Sequence, residues 1–216
     1  MVSTSSPGGG FAPPTGPAVP SQRPTGAVSL RQVSKWYGDV VAVNDVSYEF
    51  QPGVTGLLGP NGAGKSTLLH MMAGMLTPSN GEVLIRGEAA WRNTAMFHHV
   101  GLVPERESVY PFLTLWEYAV ASARLHGLPD PEAAATRAID AVELSAAMHR
   151  TMGGYSKGMR QRAKVAAALV HDPDVLVLDE PFNGTDPRQR LQMTEMLKAL
   201  GAGGKTIVFS SHILED

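Results

Sequence analysis

The sequence predicts an α/β fold, a mostly parallel sheet whose strands alternate with helices, interrupted by a helical lobe. Three observations carry this expectation. Short apolar runs stand at 54–59 (VTGLLG), 100–104 (VGLVP), 175–178 (VLVL) and 206–210 (TIVFS). Helical stretches over 65–75, 160–170 and 188–200 alternate with them. Between 105 and 159 the texture changes to Ala-rich helical segments. Strands and helices that alternate along a chain imply parallel strands joined by crossovers.

Taken in order, residues 1–26 are rich in Pro, Gly, Ser and Thr and nearly devoid of large apolar groups. Such a segment cannot bury enough surface to offset its ordering entropy, so a disordered tail is expected. The folded domain is expected over 27–216, with its core at 27–104 and 160–216 and the helical lobe at 105–159. Val28, Leu30 and Val33 with Trp36, then Val41, Val43, Val46, Tyr48 and Phe50, read as two strands. VTGLLG reads as a short buried strand, followed by a helix with Leu68, Leu69, Met72 and Met75 on its apolar side. GEVLIRG at 81–87 is a further strand after the turn formers Pro78, Ser79 and Asn80. In the lobe, 114–126 and 131–144 read as helices separated by Gly127, Pro129 and Asp130. No internal repeat is visible, which argues against two fused copies of the domain.

The 216 residues are 43% hydrophobic with a formal net charge of -2. That balance argues against a broad basic face, so no nucleic-acid partner is expected. The absence of cysteine excludes disulfides, thiol catalysis and cysteine-ligated zinc. No apolar run reaches the length of a membrane span, and the N-terminus lacks the pattern of a secretory signal. A cytoplasmic location is expected, with any membrane role supplied by a partner.

Gly59, Pro60, Asn61, Gly62, Ala63, Gly64, Lys65, Ser66 and Thr67 spell GPNGAGKST. The run satisfies G-x-x-x-x-G-K-S/T between a strand and a helix, the context that marks a phosphate-binding loop. Gly62 and Gly64 permit backbone turns that point successive N–H groups at phosphate oxygens. Lys65 is expected to reach the β- and γ-phosphates, Ser66 to offer its hydroxyl to Mg²⁺, and Thr67 to lie near the α-phosphate. The loop identifies a nucleoside triphosphate; on its own it also suits a kinase, a GTPase or a recombinase.

The stretch from Tyr155 to Pro181 adds a small-residue turn, Ser156, Lys157 and Gly158, at a helix start, where N–H groups attract anions. The strand VLVL then ends in Asp179 and Glu180. Carboxylates at the C-terminal end of a sheet strand stand where open α/β sheets bind ligands. Asp179 is the expected Mg²⁺ partner, directly or through water, and Glu180 the expected general base that deprotonates an attacking water.

In this order GPNGAGKST, YSKGMRQR and VLVLDEP resemble the ATP-binding-cassette (ABC) ATPases, over about 28–216. The resemblance implies a P-loop NTPase with a RecA-like core, an antiparallel β subdomain and an inserted helical lobe. It implies ATP and Mg²⁺ as ligands, and a head-to-tail homodimer or heterodimer in which Ser156 and the amide of Gly158 reach the partner's γ-phosphate. His212, in FSSHILED, matches the histidine that contacts the γ-phosphate. Tyr37, in KWYG, matches the aromatic that stacks on adenine, in preference to Trp36. Asn183–Asp186 (NGTD) with Pro187 matches the loop linking the two sites. Glu105, in VGLVPER, stands where the family usually has a glutamine that joins the metal and the attacking water to the membrane partner. Lys157 and Met159 likewise stand where the family usually has Gly and often has Gln.

With those departures the chain resembles the ATPases of type-2 exporters, which implies ATP hydrolysis coupled to a separate integral membrane permease at the cytoplasmic face of the membrane. ESVYPFLTLWEY, with Tyr110, Phe112 and Trp116, would receive that permease, though Trp116 equally suits the lobe's own core. Two alternatives stand beside this: a soluble ABC-type ATPase acting on ribosomes or DNA, and a weakly hydrolysing nucleotide-dependent switch. Because the sequence stops at Asp216 where the family continues, an apolar sheet face exposed to solvent is also expected.

Overall fold

The computed structural model describes residues 27–106 and 109–212. The tail expected at 1–26 lies outside the described residues, as do 107–108 and 213–216. Strands β1 (Val28–Tyr37) and β2 (Val40–Phe50) form an antiparallel hairpin. Strand β3 (Gly53–Leu58) enters the glycine-rich loop, which leads into helix α1 (Lys65–Met72). The short strands β4 (Asn80–Ile85) and β5 (Glu88–Ala89) follow, then β6 (Val100–Val103). Helices α2 (Leu115–Leu125) and α3 (Pro131–Ala141) form the lobe, and α4 (Lys157–Leu169) returns to the core. The chain then runs through β7 (Val175–Leu178), α5 (Pro187–Ala202) and β8 (Thr206–Ser211).

Two sheets result. One is antiparallel in the order β2-β1-β4-β5; the other has the order β3-β8-β7-β6 and is parallel throughout. Both faces of the parallel sheet are covered at its centre. Along β7, Val175 and Val177 point into a core shared with α1 and the antiparallel sheet. Leu176 and Leu178 point the other way, into a core shared with the lobe, α4 and α5. Ile207 and Phe209 of β8 join the second core, and Val208 the first. This alternation follows from the two-residue period of a strand, and a doubly covered strand therefore reads as an unbroken apolar run. Burying each such side chain stabilises the fold by about 1.5–3 kcal/mol.

The edge departs from expectation. β3 is not a buried strand: Val54 and Leu58 are 38% and 49% exposed. Among the described residues β3 pairs only with β8, so its alternate side chains lack a covering layer. Val54, Gly56 and Leu58 line a groove of about 340 Å³ with Phe182, Leu197 and Phe209.

Helix limits follow local chemistry that periodicity does not capture. α1 stops at Met72 rather than 75, since Gly74 adopts φ +66°, which breaks the helical path. α3 stops at Ala141 rather than 144, with Glu143 at φ +56°. α4 begins at Lys157, earlier than 160, because the Ser156 hydroxyl accepts from the Met159 N–H at 3.2 Å and caps the helix. Reciprocal capping boxes start α2 at Thr114 and Glu117 and α5 at Asp186 and Gln189. Within the lobe, Ser122 Oγ donates to Ala167 O at 3.0 Å and ties α2 to α4. Trp116 packs partly buried against the lobe core, while Tyr110 and Phe112 are 55% and 72% exposed.

Candidate functional site

The four parallel strands end side by side. β3 pairs with β8 so that Leu58 faces Ser211, and Gly59 N donates to Ser211 O at 3.3 Å. β7 pairs with β8 through Leu178 and Phe209, and with β6 through Val103 and Leu178. That register sets Ser210 beside Asp179, and Asp179 N donates to Val103 O at 2.8 Å. The C-terminal ends of the strands thus bring the glycine-rich loop, the carboxylate pair and His212 to one edge of the sheet.

They surround a cleft of about 390 Å³ lined by Ala42, the loop from Asn61 to Thr67, Glu105, Glu180, Asn183 and His212. Gly62 and Gly64 adopt φ +83° and +84°. A Cβ on Gly64 would stand 2.0 Å from the Ala42 carbonyl oxygen, whereas beside Gly62 nothing lies within 4 Å. Gly64 therefore allows the loop to press against β2, and Gly62 leaves its outer side open. Gly64 also heads α1, whose first turn carries no side-chain cap and no acidic residue. Its leading N–H groups, with the positive end of the helix dipole, suit an anion.

Lys65 is the cation of the cleft. Its ammonium donates to Gly59 O at 2.7 Å and Pro60 O at 3.2 Å, and lies 3.7 Å from Glu180 Oε1. The other Glu180 oxygen is 2.8 Å from His212 Nδ1. Glu180 is only 8% exposed and takes φ +48°, the left-handed region. A non-glycine residue there carries about 1–2 kcal/mol of strain, and such strain concentrates at functional sites. Asp179 does not line the cleft; it sits behind Ser66, whose hydroxyl donates to Asp179 Oδ1 at 3.1 Å. Ser66, Asp179 and the exposed Glu105 supply hard oxygen donors of the kind Mg²⁺ prefers. Asp179, being second in line, suits a contact through water.

Ser210 was not foreseen from the sequence. Its hydroxyl donates to Asp179 Oδ1 at 2.6 Å and accepts from Glu180 N–H at 2.8 Å. The signal was available in FSSH, a polar residue closing an apolar strand whose neighbour ends in Asp-Glu. Lys164 was missed as well: buried in α4, it donates to the carbonyls of Glu105 and Arg106 at 3.3 and 3.2 Å. Helix α4 is thereby joined to the chain at Glu105 and Arg106.

Gly59, Pro60 and Asp179 border the lining residues without joining them, whereas Tyr37, Ser156 and Gly158 belong to other parts of the surface and turn. Tyr37 sits at the β1–β2 hairpin, 51% exposed, with Lys35 Nζ 5.3 Å above its ring; Trp36 beside it is 44% exposed. Ser156 is exposed at the cap of α4, and Gly158 is buried in its first turn. Tyr155 anchors this turn to the lobe, with its hydroxyl donating to Ala147 O at 2.8 Å. Burial raises the Tyr155 phenol above its ordinary pKa, against the opposing pull of Arg150.

Comparison with known proteins agrees with this architecture. Residues 43–183 match the family described as ABC transporter. A Nod factor export ATP-binding protein I of Cupriavidus metallidurans is 37% identical over 196 residues, spanning 89% of this chain and 65% of that protein. The protein of the same name in Rhizobium meliloti is 35% identical over 203 residues, 92% of this chain and 61% of its own length. The chain thus spans under two thirds of the length of these relatives. An ATP-binding cassette of an ABC transporter solved in its ADP conformation superposes with a TM-score of 0.78 at 23% identity, covering 87% of this chain and 82% of that one. The cbiO1 protein of Clostridium perfringens, part of an ABC transporter complex, gives 0.79 at 24%, covering 87% and 78%. Fold and cleft together define a P-loop cassette. The chain belongs to the ABC transporter family, and its two sheets with their helical lobe form the ABC ATPase fold.

Proposed function

We propose that this chain is the ATP-binding and hydrolysing subunit of an ABC exporter, coupled to a separate integral membrane permease. The observation that carries the reading is the placement of Glu180, a buried carboxylate held between Lys65 and His212 at the rim of the phosphate loop. Loop amides and Lys65 bind the phosphates and offset their charge. Mg²⁺, when bound, would be held by Ser66 with Asp179 and Glu105 and would supply further charge neutralisation at the β- and γ-phosphates. Glu180 orients a water against the γ-phosphorus and takes its proton as the new P–O bond forms. The bond to the β-bridging oxygen breaks, and its electron pair leaves with ADP. His212 steadies the second Glu180 oxygen and faces the same cleft.

Ser156 and Gly158, which do not line this cleft, act in the reading on the nucleotide of a second copy in a head-to-tail dimer. Tyr37 offers the ring face opposite Lys35 to adenine. The export direction follows the names of the relatives and the Lys157, Met159 and Glu105 pattern. No helix among the described residues is long and apolar enough to cross a membrane, which accords with a subunit peripheral to the cytoplasmic face.

ATPase assays of the full chain with its permease, captured by pull-down from membranes, test the reading. Glu180→Gln is expected to keep ATP binding while lowering kcat by about 10²-fold or more, the scale of a lost general base. Equal rates for the two proteins would remove Glu180 from the role of base.

A further inference from the structure

The turn at 155–158 and the stretch 183–189, the loop with the first turn of α5, interlock within one chain, each laying a long side chain over the other's glycine. Lys157 covers Gly184, where an added Cβ would stand 2.6 Å from Lys157 Cε and 2.9 Å from its Cδ. Gln189 covers Gly158, where a Cβ would meet Gln189 Cδ at 2.7 Å and Oε1 at 2.8 Å. Neither glycine could carry a side chain without opening the lock.

Gln189 also has a polar task at each end of its amide. Its Oε1 accepts from Asp186 N–H at 3.4 Å, closing the capping box of α5. Its Nε2 donates to Ser156 Oγ at 3.3 Å. The same Ser156 oxygen accepts from Met159 N–H at 3.2 Å. A serine hydroxyl has two lone pairs and one proton. With a donor on each lone pair, the proton of Ser156 is left to point outward, and Ser156 is an obligate donor.

We propose that Gln189 is a positioning residue that fixes Ser156 as a hydrogen-bond donor toward phosphate, and that Lys157 and Gln189 together bind the 155–158 turn to the 183–186 loop as one unit. The inference rests on the proposed action of Ser156 on the nucleotide of a second copy. The γ-phosphate oxygens only accept hydrogen bonds, so a serine whose lone pairs faced them would repel rather than hold.

Gln189→Glu isolates the effect. The carboxylate keeps the acceptor for Asp186 N–H, so the start of α5 is preserved. It cannot donate to Ser156, and instead accepts the serine proton, reversing the polarity of that bond. In the full chain the variant is expected to melt near wild type and to bind a fluorescent ATP analogue with unchanged affinity. Its KM stays near wild type while kcat falls by about tenfold. Ser156→Ala is expected to fall as far, and the double variant no further than Ser156→Ala alone, because both remove one interaction. Gln189→Leu, which removes the donor without adding charge, is expected to show the same non-additivity. Wild-type kcat in Gln189→Glu beside a slow Ser156→Ala overturns the proposal, as do losses that multiply in the double variants. Wild-type kcat in Ser156→Ala overturns the underlying reading of Ser156 and this proposal with it, while leaving the Glu180 test standing.

Discussion

Replacing Ser210 by alanine tests whether the carboxylate pair is held from the neighbouring strand. Ser210 is wholly buried and makes two bonds, to Asp179 Oδ1 at 2.6 Å and from Glu180 N–H at 2.8 Å. A hydrogen bond to a charged group contributes about 1.5–3 kcal/mol, and a buried N–H left unpaired costs about 1–3 kcal/mol. Asp179 keeps Ser66 as a second donor, so the low ends of these ranges apply and the total comes to about 3 kcal/mol. For a chain of this size each kcal/mol lowers Tm by about 2–4 °C, giving a fall of about 6–12 °C. Glu180 also loses the bond that holds its left-handed backbone, so its carboxylate drifts from Lys65 and His212. Turnover is expected to drop by about tenfold or more, with ATP affinity retained because the loop's contacts do not pass through Ser210. Thr206→Val is the control on the same strand: Thr206 is 1% exposed, and its hydroxyl has no partner among the described residues. Removing such a hydroxyl should be nearly neutral. Calorimetric melting, ATP titration and steady-state ATPase assays read the three quantities. A Ser210→Ala protein that melts within about 2 °C of wild type, or no lower than Thr206→Val, would refute the argument.

Two further outcomes follow from single positions. Gly64→Ala meets the Ala42 carbonyl oxygen at 2.0 Å with φ at +84°, whereas Gly38→Ala has φ +57° and nothing within 4 Å. Melting should show a loss of about 1 kcal/mol at Gly38, from backbone strain alone, and several times that at Gly64 together with lost ATP binding; equal losses would contradict the contact. His171 stacks on His126 with ring centroids 3.9 Å apart, its Nε2 against Val100 O at 3.2 Å and its Nδ1 without a partner among the described residues. Burial pushes its pKa from the ordinary 6.5 down to about 4, aided by His126, His98 and Lys205 and opposed by the Val100 carbonyl. The unfolded chain binds that proton first, so stability falls as pH drops from about 6.5 toward 4, by about 1–2 kcal/mol at pH 5 once partial exposure is allowed for. His171→Phe keeps the stack and should flatten this part of the urea-midpoint profile; an unchanged slope would assign the loss to other groups.

What the sequence made legible is what depends on local patterning. The strand–glycine loop–helix order, the apolar run before Asp179 and the small-residue turn before α4 each carry their meaning in consecutive residues. The structure brings the phosphate loop and Glu180 into one cleft for that reason, with His212, assigned through resemblance, beside them. Tyr37 and Ser156, assigned through resemblance, are not on it. Ser210, Lys164 and Gln189 were hidden because their roles arise from register and packing between distant segments. Nothing near Ser210 in the chain states that β8 lies beside β7 with Phe209 opposite Leu178. That the exposed face would fall on β3 was hidden likewise, since VTGLLG reads as a buried strand just as VLVL does but has a different place in the sheet order.

The stretch 180–189 explains why these parts belong together. It begins with Glu180 in the cleft and ends with Gln189 on the Ser156 turn. Between them Phe182 is buried edge-on against Phe209, with centroids 5.3 Å apart and planes at 89°. Thr185 Oγ1 closes the turn onto Phe182 O at 2.7 Å. Packed in this way at its middle, the segment links the cleft to the Ser156 turn through buried and hydrogen-bonded groups. In the proposed dimer its two ends serve different nucleotides, the base its own and the serine that of the second copy. On that proposal, a displacement of Glu180 when phosphate leaves one cleft would be passed to Ser156, which bears on the other. In that proposed arrangement the Lys157–Gly184 and Gln189–Gly158 contacts are the place where a substitution would separate hydrolysis at one site from its effect on the next.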